Sequence, residues 1–330
     1  MLHFSTDDLR PHERFDHWCE VRARNVFGVT ISLEPERRLA FSGRMSAFAL
    51  PGASVAQMRA SPYHVHRTRD DIERLPSDSL CLYQQIGGGG WFEAAAPGKR
   101  PQQFFVTPGA LATSNSDLPY LTAPTTEEGF NLRLIKISLS GDPQVAQVAQ
   151  AARDLAPELV TPGHPFAPLL AASFDALAQA GSEETSDAQN VRDLALLILL
   201  ARGRVTRGLP EARAAVRTGY RHAAQRAIRT AFHRADLSPA AVGAMLGISV
   251  RQVHLLFEPT GTTFARALNV TRLNAAHRLL MSSPERPVAD IAASCGFDSL
   301  ATFYRLFRAA YDMTPTDVRR LSDAGPIGQA

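Results

Sequence analysis

Lysine is nearly missing from this chain of 330 residues: Lys99 and Lys136 are the only two, against 33 arginines. Cysteine is as scarce. Cys19, Cys81 and Cys295 are odd in number and far apart, which excludes a disulfide framework or a zinc knuckle and fits a reducing compartment. Long apolar runs are lacking too. The longest aliphatic stretch, "LALLILLA" at 194–201, falls far short of the roughly 20 residues that cross a membrane. The opening "MLHFSTDDLRPHERFDHW" is studded with charge and has no signal-peptide core, so the expectation is a cytoplasmic chain with no membrane partner. The four glycines of "IGGGGW" (87–90) are followed by neither Lys-Ser/Thr nor a helix start. They read as a tight hairpin and not as a phosphate cradle.

What is present is ordinary globular material, 45% hydrophobic and 20% charged, in a length that accommodates two domains. The net charge of +3 hides an asymmetry. Residues 221–320 hold 13 arginines against 7 acids, a net +6, while the remainder nets −3. A basic C-terminal third points to a polyanion as its partner.

The pattern changes along the chain. From about 27 to 139, "FGVTISLE", "SVAQM", "LCLYQQI", "FFVTPGALATS" and "FNLRLIKISL" are short β-rich segments separated by Gly and Pro clusters, as in a sandwich or small barrel. After "SGDPQ" (140–144) Ala and Leu dominate with a helical period, and Asp187 is placed to cap the helix containing "LALLILLA". That helix is apolar all round, which implies burial in a core or in a dimer interface. The expected organisation is an α+β multidomain chain: a β domain over 1–140, a helical extension with possible dimerisation helices over 141–203, a linker over 204–220 and an all-α domain over 221–322.

The all-α part contains a repeated arrangement. "SPAAVGAML" starts with Ser238 as N-cap and Pro239 at the first helical position, and Gly247 breaks it. "SVRQVHLLF" restarts behind Ser249, with Val253, Leu256 and Phe257 on one face and Arg251, His254 and Glu258 on another. Fifty residues later "PVADIAASC" is broken by Gly296. Asp298 or Ser299 caps the next helix, whose Phe303, Leu306 and Phe307 turn inwards while Thr302, Arg305 and Arg308 stay out. Two short helices around a glycine turn, the second with exposed polar residues near its start, form a helix-turn-helix. "TFARALNVTRLNAAHRLLMS" (263–282) reads as one long helix joining the two copies.

"LGIS" followed by "VHLLF", the "RLNAAHRLL" helix and "IAASCGFDSLATFYRLFRAAYDMTPTDVR" resemble, in that order and over about 90 residues, the AraC/XylS family of transcription regulators. The β-rich half is similar, more loosely, to the family's cupin-like effector domain through "FFVTPGALATSNSDLPY". The resemblance implies a sequence-specific DNA-binding regulator that is small-molecule responsive, needs no cofactor and is not an enzyme. Its implied partners are double-stranded DNA, an effector, RNA polymerase if it activates, and a second copy of itself. It also implies that each recognition helix lies in a major groove. Arg251, His254, Thr302 and Arg305 are then the base contacts, and Ser249, Gln252, Ser299 and Arg308 the phosphate contacts. This chain departs from the family at Gly243 (usually Ala), at Asp312 (often Gly) and at Val318 (often aromatic), and Pro259 is expected to shorten the first recognition helix.

For the effector pocket the candidates are Arg67, Tyr83, Gln85, Trp91 and Tyr120, polar or aromatic positions on or beside the expected strands. An alternative rests on "YHVHRTRDDIE". His64-x-His66 with a later carboxylate, Asp70 or Glu73, is similar to the metal-binding motif of cupin oxygenases. The expected Glu spacing and a further histidine are missing, so neither a metal ligand nor a catalytic residue is assigned.

Overall fold

The computed structural model describes residues 1–94, 98, 100–140, 146–180, 188–283 and 285–323. It divides into two compact units, Met1–Gly219 and Tyr220–Ala330. Asp187 lies outside the described residues.

The strands of the first unit are β1 (Leu2–Ser5), β2 (Thr30–Ser32), β3 (Gly43–Leu50), β4 (Ala53–Ala60), β5 (His64–Arg67), β6 (Ser79–Gln85), β7 (Gly90–Ala94), β8 (Gln102–Val106), β9 (Leu111–Asn115), β10 (Tyr120–Pro124), β11 (Phe130–Ser138) and β12 (Glu158–Val160). Its helices are α1 (Arg14–Asn25), α2 (Pro35–Arg38), α3 (Arg69–Arg74), α4 (Ala146–Ala152), α5 (Ala167–Ala180) and α6 (Ala188–Ala201). Two antiparallel sheets result, ordered β1-β3-β4-β11-β6-β9-β12 and β2-β5-β10-β7-β8. One apolar core draws Met45, Met58 and Leu134 from the first sheet and Val65, Phe92 and Tyr120 from the second.

Strand alternation assigns the faces of the larger sheet. Leu134 sits opposite Tyr83 and Leu132 opposite Gln85, all on the face that looks into the core between the sheets. Ile135 and its partner Leu82 point the other way and are also fully buried. On that far face Arg133 pairs with Asp175 of α5, and its guanidinium lies 5.0 Å over the Phe174 ring. Because β11 is covered on both sides, its apolar residues do not alternate cleanly with polar ones, and no inner face is legible from "FNLRLIKISL".

Two local expectations are revised. The glycines at 87–90 do not turn a hairpin: β6 and β7 belong to different sheets, and the turn carries the chain from one to the other. Residues 158–160, placed in a helical extension, form β12 and pair with β9. Of the two burials open to the apolar helix α6, the single chain supplies the core one, covering Val191, Leu194, Leu197, Ile198 and Leu199.

Helix α7 (Pro210–Ala231) occupies residues 210–220, most of the expected linker, and runs across the division between the units. The rest of the second unit is helical: α8 (Pro239–Leu246), α9 (Val250–Phe257), α10 (Phe264–Ser282), α11 (Val288–Ser294), α12 (Leu300–Tyr311) and α13 (Pro315–Asp323). Near the C-terminal half of α7, His222 is 5% exposed, and burial with Arg221 and Arg229 nearby pushes its pKa down from 6.5 to about 4. The fold thus favours the neutral imidazole. Its contribution is fully present above about pH 6.5 and is lost as the pH falls towards 4, in total on the order of 3 kcal/mol. Urea midpoints measured from pH 7 down to pH 4 are expected to fall more steeply for the natural chain than for His222→Gln. Parallel curves for the two proteins would show that His222 titrates normally.

Candidate nucleic-acid interface

The first helix pair is built as its residues dictate. Ser238 Oγ accepts from the Ala241 amide at 3.2 Å and Pro239 takes the first helical position of α8, while Gly247 ends it at φ +66°. The chain turns by 102° into α9. The turn is tight enough that a Cβ on Gly243 would lie 2.7 Å from the Ile248 carbonyl oxygen, so glycine rather than alanine fits here. Ser249 and Gln252 form a capping box at the start of α9. As Pro259 led one to expect, α9 stops at Phe257 and passes into a single 3-10 turn, Glu258–Thr260.

The second pair repeats the plan with a longer reading element. α11 ends at Ser294 with Cys295 as its C-cap, Gly296 follows at φ +83°, and Ser299 caps α12, its Oγ accepting from the Thr302 amide at 3.3 Å. α12 has 12 residues against 8 in α9. Asp312 closes it at φ +53°, a left-handed position that explains why glycine is frequent there in the resembling family.

One helix holds both pairs. Phe264 and Leu268 at the start of α10 join the core of the first pair, with Val242, Val253 and Phe257. Leu273, Ala276 and Leu280 further along join the core of the second, with Ile291, Phe303 and Phe307. Between those stretches stands Arg272, only 8% exposed, whose Nε donates to the Phe232 carbonyl at 2.9 Å and whose Nη2 donates to the Arg234 carbonyl at 2.7 Å. Gly296 packs against the same spot: a Cβ there would lie 2.4 Å from the Phe232 oxygen and 2.9 Å from Arg272 Nε. With 19 residues at 1.5 Å each, α10 is a rod of about 28 Å.

All eight residues named as DNA contacts are exposed. Arg251, His254, Thr302, Arg305 and Arg308 have no side-chain partner among the described residues, so their donors face solvent. Ser249 and Gln252 differ: the Ser249 amide and hydroxyl both donate to Gln252 Oε1, at 2.9 and 3.1 Å. Their first task is capping, which leaves the Gln252 side-chain NH2 group as the remaining donor. Three aliphatics on the same helices, Val250, Leu255 and Leu300, are also exposed, at 44%, 46% and 44%; polarity gives no signal for them in the sequence. Val250 and Leu300 each directly follow the capping serine, at equivalent positions of the two copies.

The effector-pocket candidates separate into two groups. Tyr83, Gln85 and Tyr120 line a cavity of about 30 Å³ between the two sheets of the first unit. Arg67 and Trp91 do not. Arg67 is 1% exposed and spends its guanidinium on the fold, donating to the carbonyls of Ser116, Gly28, Asp71 and Leu75 and to Asp117. Trp91 precedes inward-facing Phe92 on β7 and so shares the opposite face with exposed Glu93. His64 and His66 likewise lie on the face of β5 opposite buried Val65 and Arg67, and Asp70 and Glu73 are exposed. No group of three or more His, Cys, Asp or Glu that could hold a metal occurs among the described residues. No single described helix is long and apolar enough to cross a membrane.

A family model described as a helix-turn-helix domain matches residues 242–321. The transcriptional activator NphR of Rhodococcus sp is 38% identical over 91 residues, 28% of this chain and 27% of that protein. The HTH-type transcriptional activator RhaS of Klebsiella pneumoniae is 43% identical over 84 residues, 25% of this chain and 30% of its own. The chain therefore spans less than a third of the length of these curated relatives. The crystal structure of the AraC-like transcriptional activator CuxR aligns with 89% of this chain and 100% of its own at 21% identity, with a TM-score of 0.47. The tandem helix pairs, the joining helix and the matched stretch coincide: over residues 242–321 the chain carries a helix-turn-helix domain similar to those of these transcriptional activators.

Proposed function

We propose that the chain is a sequence-specific DNA-binding transcription regulator and not an enzyme, reading successive major grooves with α9 and α12. The observation that carries this reading is the pair of arginine-bearing, solvent-facing helix surfaces built on one spine, α10, that serves both cores. Successive grooves on one face of a duplex are about 34 Å apart, the scale of that spine. Arg251 and Arg305 are the strongest base readers, since a guanidinium spans G O6 and N7. His254 and Thr302 flank them, Val250 and Leu300 suit thymine methyl groups, and Arg308, Ser299 and Gln252 hold phosphates.

Arg305→Ala is expected to weaken binding to the specific site by about tenfold at fixed salt, the loss of one good base contact. The site is found by mapping bound DNA across the genome, and binding is measured by gel shift over a salt series. Unchanged affinity would remove Arg305 from the interface, and binding with no salt dependence would count against a phosphate-contacting protein altogether.

The first unit, with its two antiparallel sheets and the cavity between them, serves in this reading as a cupin-like effector-sensing domain. Relatives named as activators support an activating role, with RNA polymerase as the further partner and the cytoplasm as its place of work. A second copy of the chain, where it binds, uses a surface other than α6.

A further inference from the structure

Helix α1, not legible in the sequence, aims a charge into the cavity between the two sheets. Trp18 is fully buried and pinned: it packs among Phe4, Phe41 and Tyr63, and it lies so close on β3 that a Cβ on Gly43 would come within 2.6 Å of its ring. Four residues on, Arg22 lies on the same face of the helix, is 6% exposed and lines the cavity between the sheets. Arg22 Nε, Arg22 Nη1 and Trp18 Nε1 are all buried and have no hydrogen-bond partner. No carboxylate pairs with Arg22 among the described residues. Tyr63 feels both side chains, yet its hydroxyl makes a hydrogen bond of proper geometry with neither.

A desolvated cation with idle donors is costly to a fold unless something supplies the acceptor. By contrast Arg67, the other buried arginine of this unit, has five protein oxygens around it. Around the Arg22 cavity the polar groups are themselves donors or neutral: the phenols of Tyr63, Tyr83 and Tyr120, the Gln85 amide and the Thr122 hydroxyl. Burial pushes all three phenol pKa values up, so each stays protonated near neutral pH and can donate. The remaining wall is apolar, with Phe92, Phe130 and Leu134 prominent in it.

We infer that this cavity takes a small organic monocarboxylate, its carboxylate held by the Arg22 guanidinium and the buried phenols and its apolar body against the Phe92–Phe130 wall. Arginine binds a carboxylate through charge-assisted hydrogen bonds, and the idle Nε and Nη1 of Arg22 are two donors free to make them. The open volume of about 30 Å³ admits the headgroup, and the body enters by displacing side chains of the apolar wall. The inference deepens the sensing role proposed above by naming the chemical class of the effector. It is tested without DNA, so its failure and the failure of the DNA-binding reading are told apart.

Thermal unfolding of the full chain is followed by tryptophan fluorescence, with acetate, butyrate, benzoate and phenylacetate as probes, each against its amide. At least one acid is expected to raise the melting temperature by about 2–4 °C at tenfold excess over its Kd, and its amide is not. Arg22→Met, which removes an unpaired buried charge, is expected to melt higher than the natural chain without ligand and to lose the response. Arg22→Lys keeps the charge without the planar fork and is expected to keep a weaker shift, which decides the matter should Arg22→Met not fold. No shift with any acid, equal shifts with acid and amide, or an undiminished shift in Arg22→Met or Arg22→Lys would overturn the inference.

Discussion

Gly296→Ala is expected to destabilise the second unit by about 3–5 kcal/mol. Two costs combine. The backbone at Gly296 has φ +83°, where any residue with a Cβ loses about 1 kcal/mol. The added methyl would also lie 2.4 Å from the Phe232 carbonyl oxygen and 2.9 Å from Arg272 Nε, well inside contact distance. That oxygen is backbone and accepts from Arg272, so relieving the clash breaks the hydrogen bond that ties α10 to the end of α7. Both tryptophans, Trp18 and Trp91, lie in the first unit, so their fluorescence reports that unit alone. The circular-dichroism transition at helix wavelengths is expected to move to lower urea by about 1–3 M, with the tryptophan transition in place. A shift of less than about 0.5 M in the helical transition would show that this junction is looser than its contacts imply.

Arg67→Ala is the counterpart in the first unit, with an expected loss of about 3–5 kcal/mol. Its side chain connects the start of β2 (through Gly28), α3 and the turn that follows it (through Asp71 and Leu75), and the approach to β10 (through Ser116 and Asp117). Truncation leaves four carbonyls short of a donor and one carboxylate short of its cation. Asp117 keeps the amides of Ser77 and Asp78, which limits the damage at that end. Here the tryptophan transition is expected to move and the helical domain's DNA binding to persist. Were Arg67 instead the effector contact it was first expected to be, Arg67→Ala would leave unfolding nearly unchanged and abolish the response to ligand.

These two residues mark where the local pattern stops being informative. Ser238, Pro239, Gly247 and Ser249 announce the first helix pair because capping and left-handed closure are properties of a few adjacent residues. The outward placement of Arg251 and Arg305 follows from helical period for the same reason. Arg67 offered no such signal. A cationic residue on an expected strand near an expected pocket is indistinguishable, in one dimension, from a ligand contact, and its oxygens come from positions up to 50 residues away. Trp91 and Tyr83 show the same limit, since the inner face of a strand is set by which sheet packs on it.

What the sequence by itself determined is the tandem of helix pairs, their spacing and the joining helix, because all of these are written in neighbouring residues and in a period of 3.6. Only the tertiary structure decided that α10 is a spine shared by two cores, that α6 is spent inside one chain, and that Arg22 stands unpaired beside the cavity between the sheets. Each of those depends on the burial of side chains brought together from distant segments. Burial decides whether a polar group must find a partner, and it becomes defined only once the chain has closed around it.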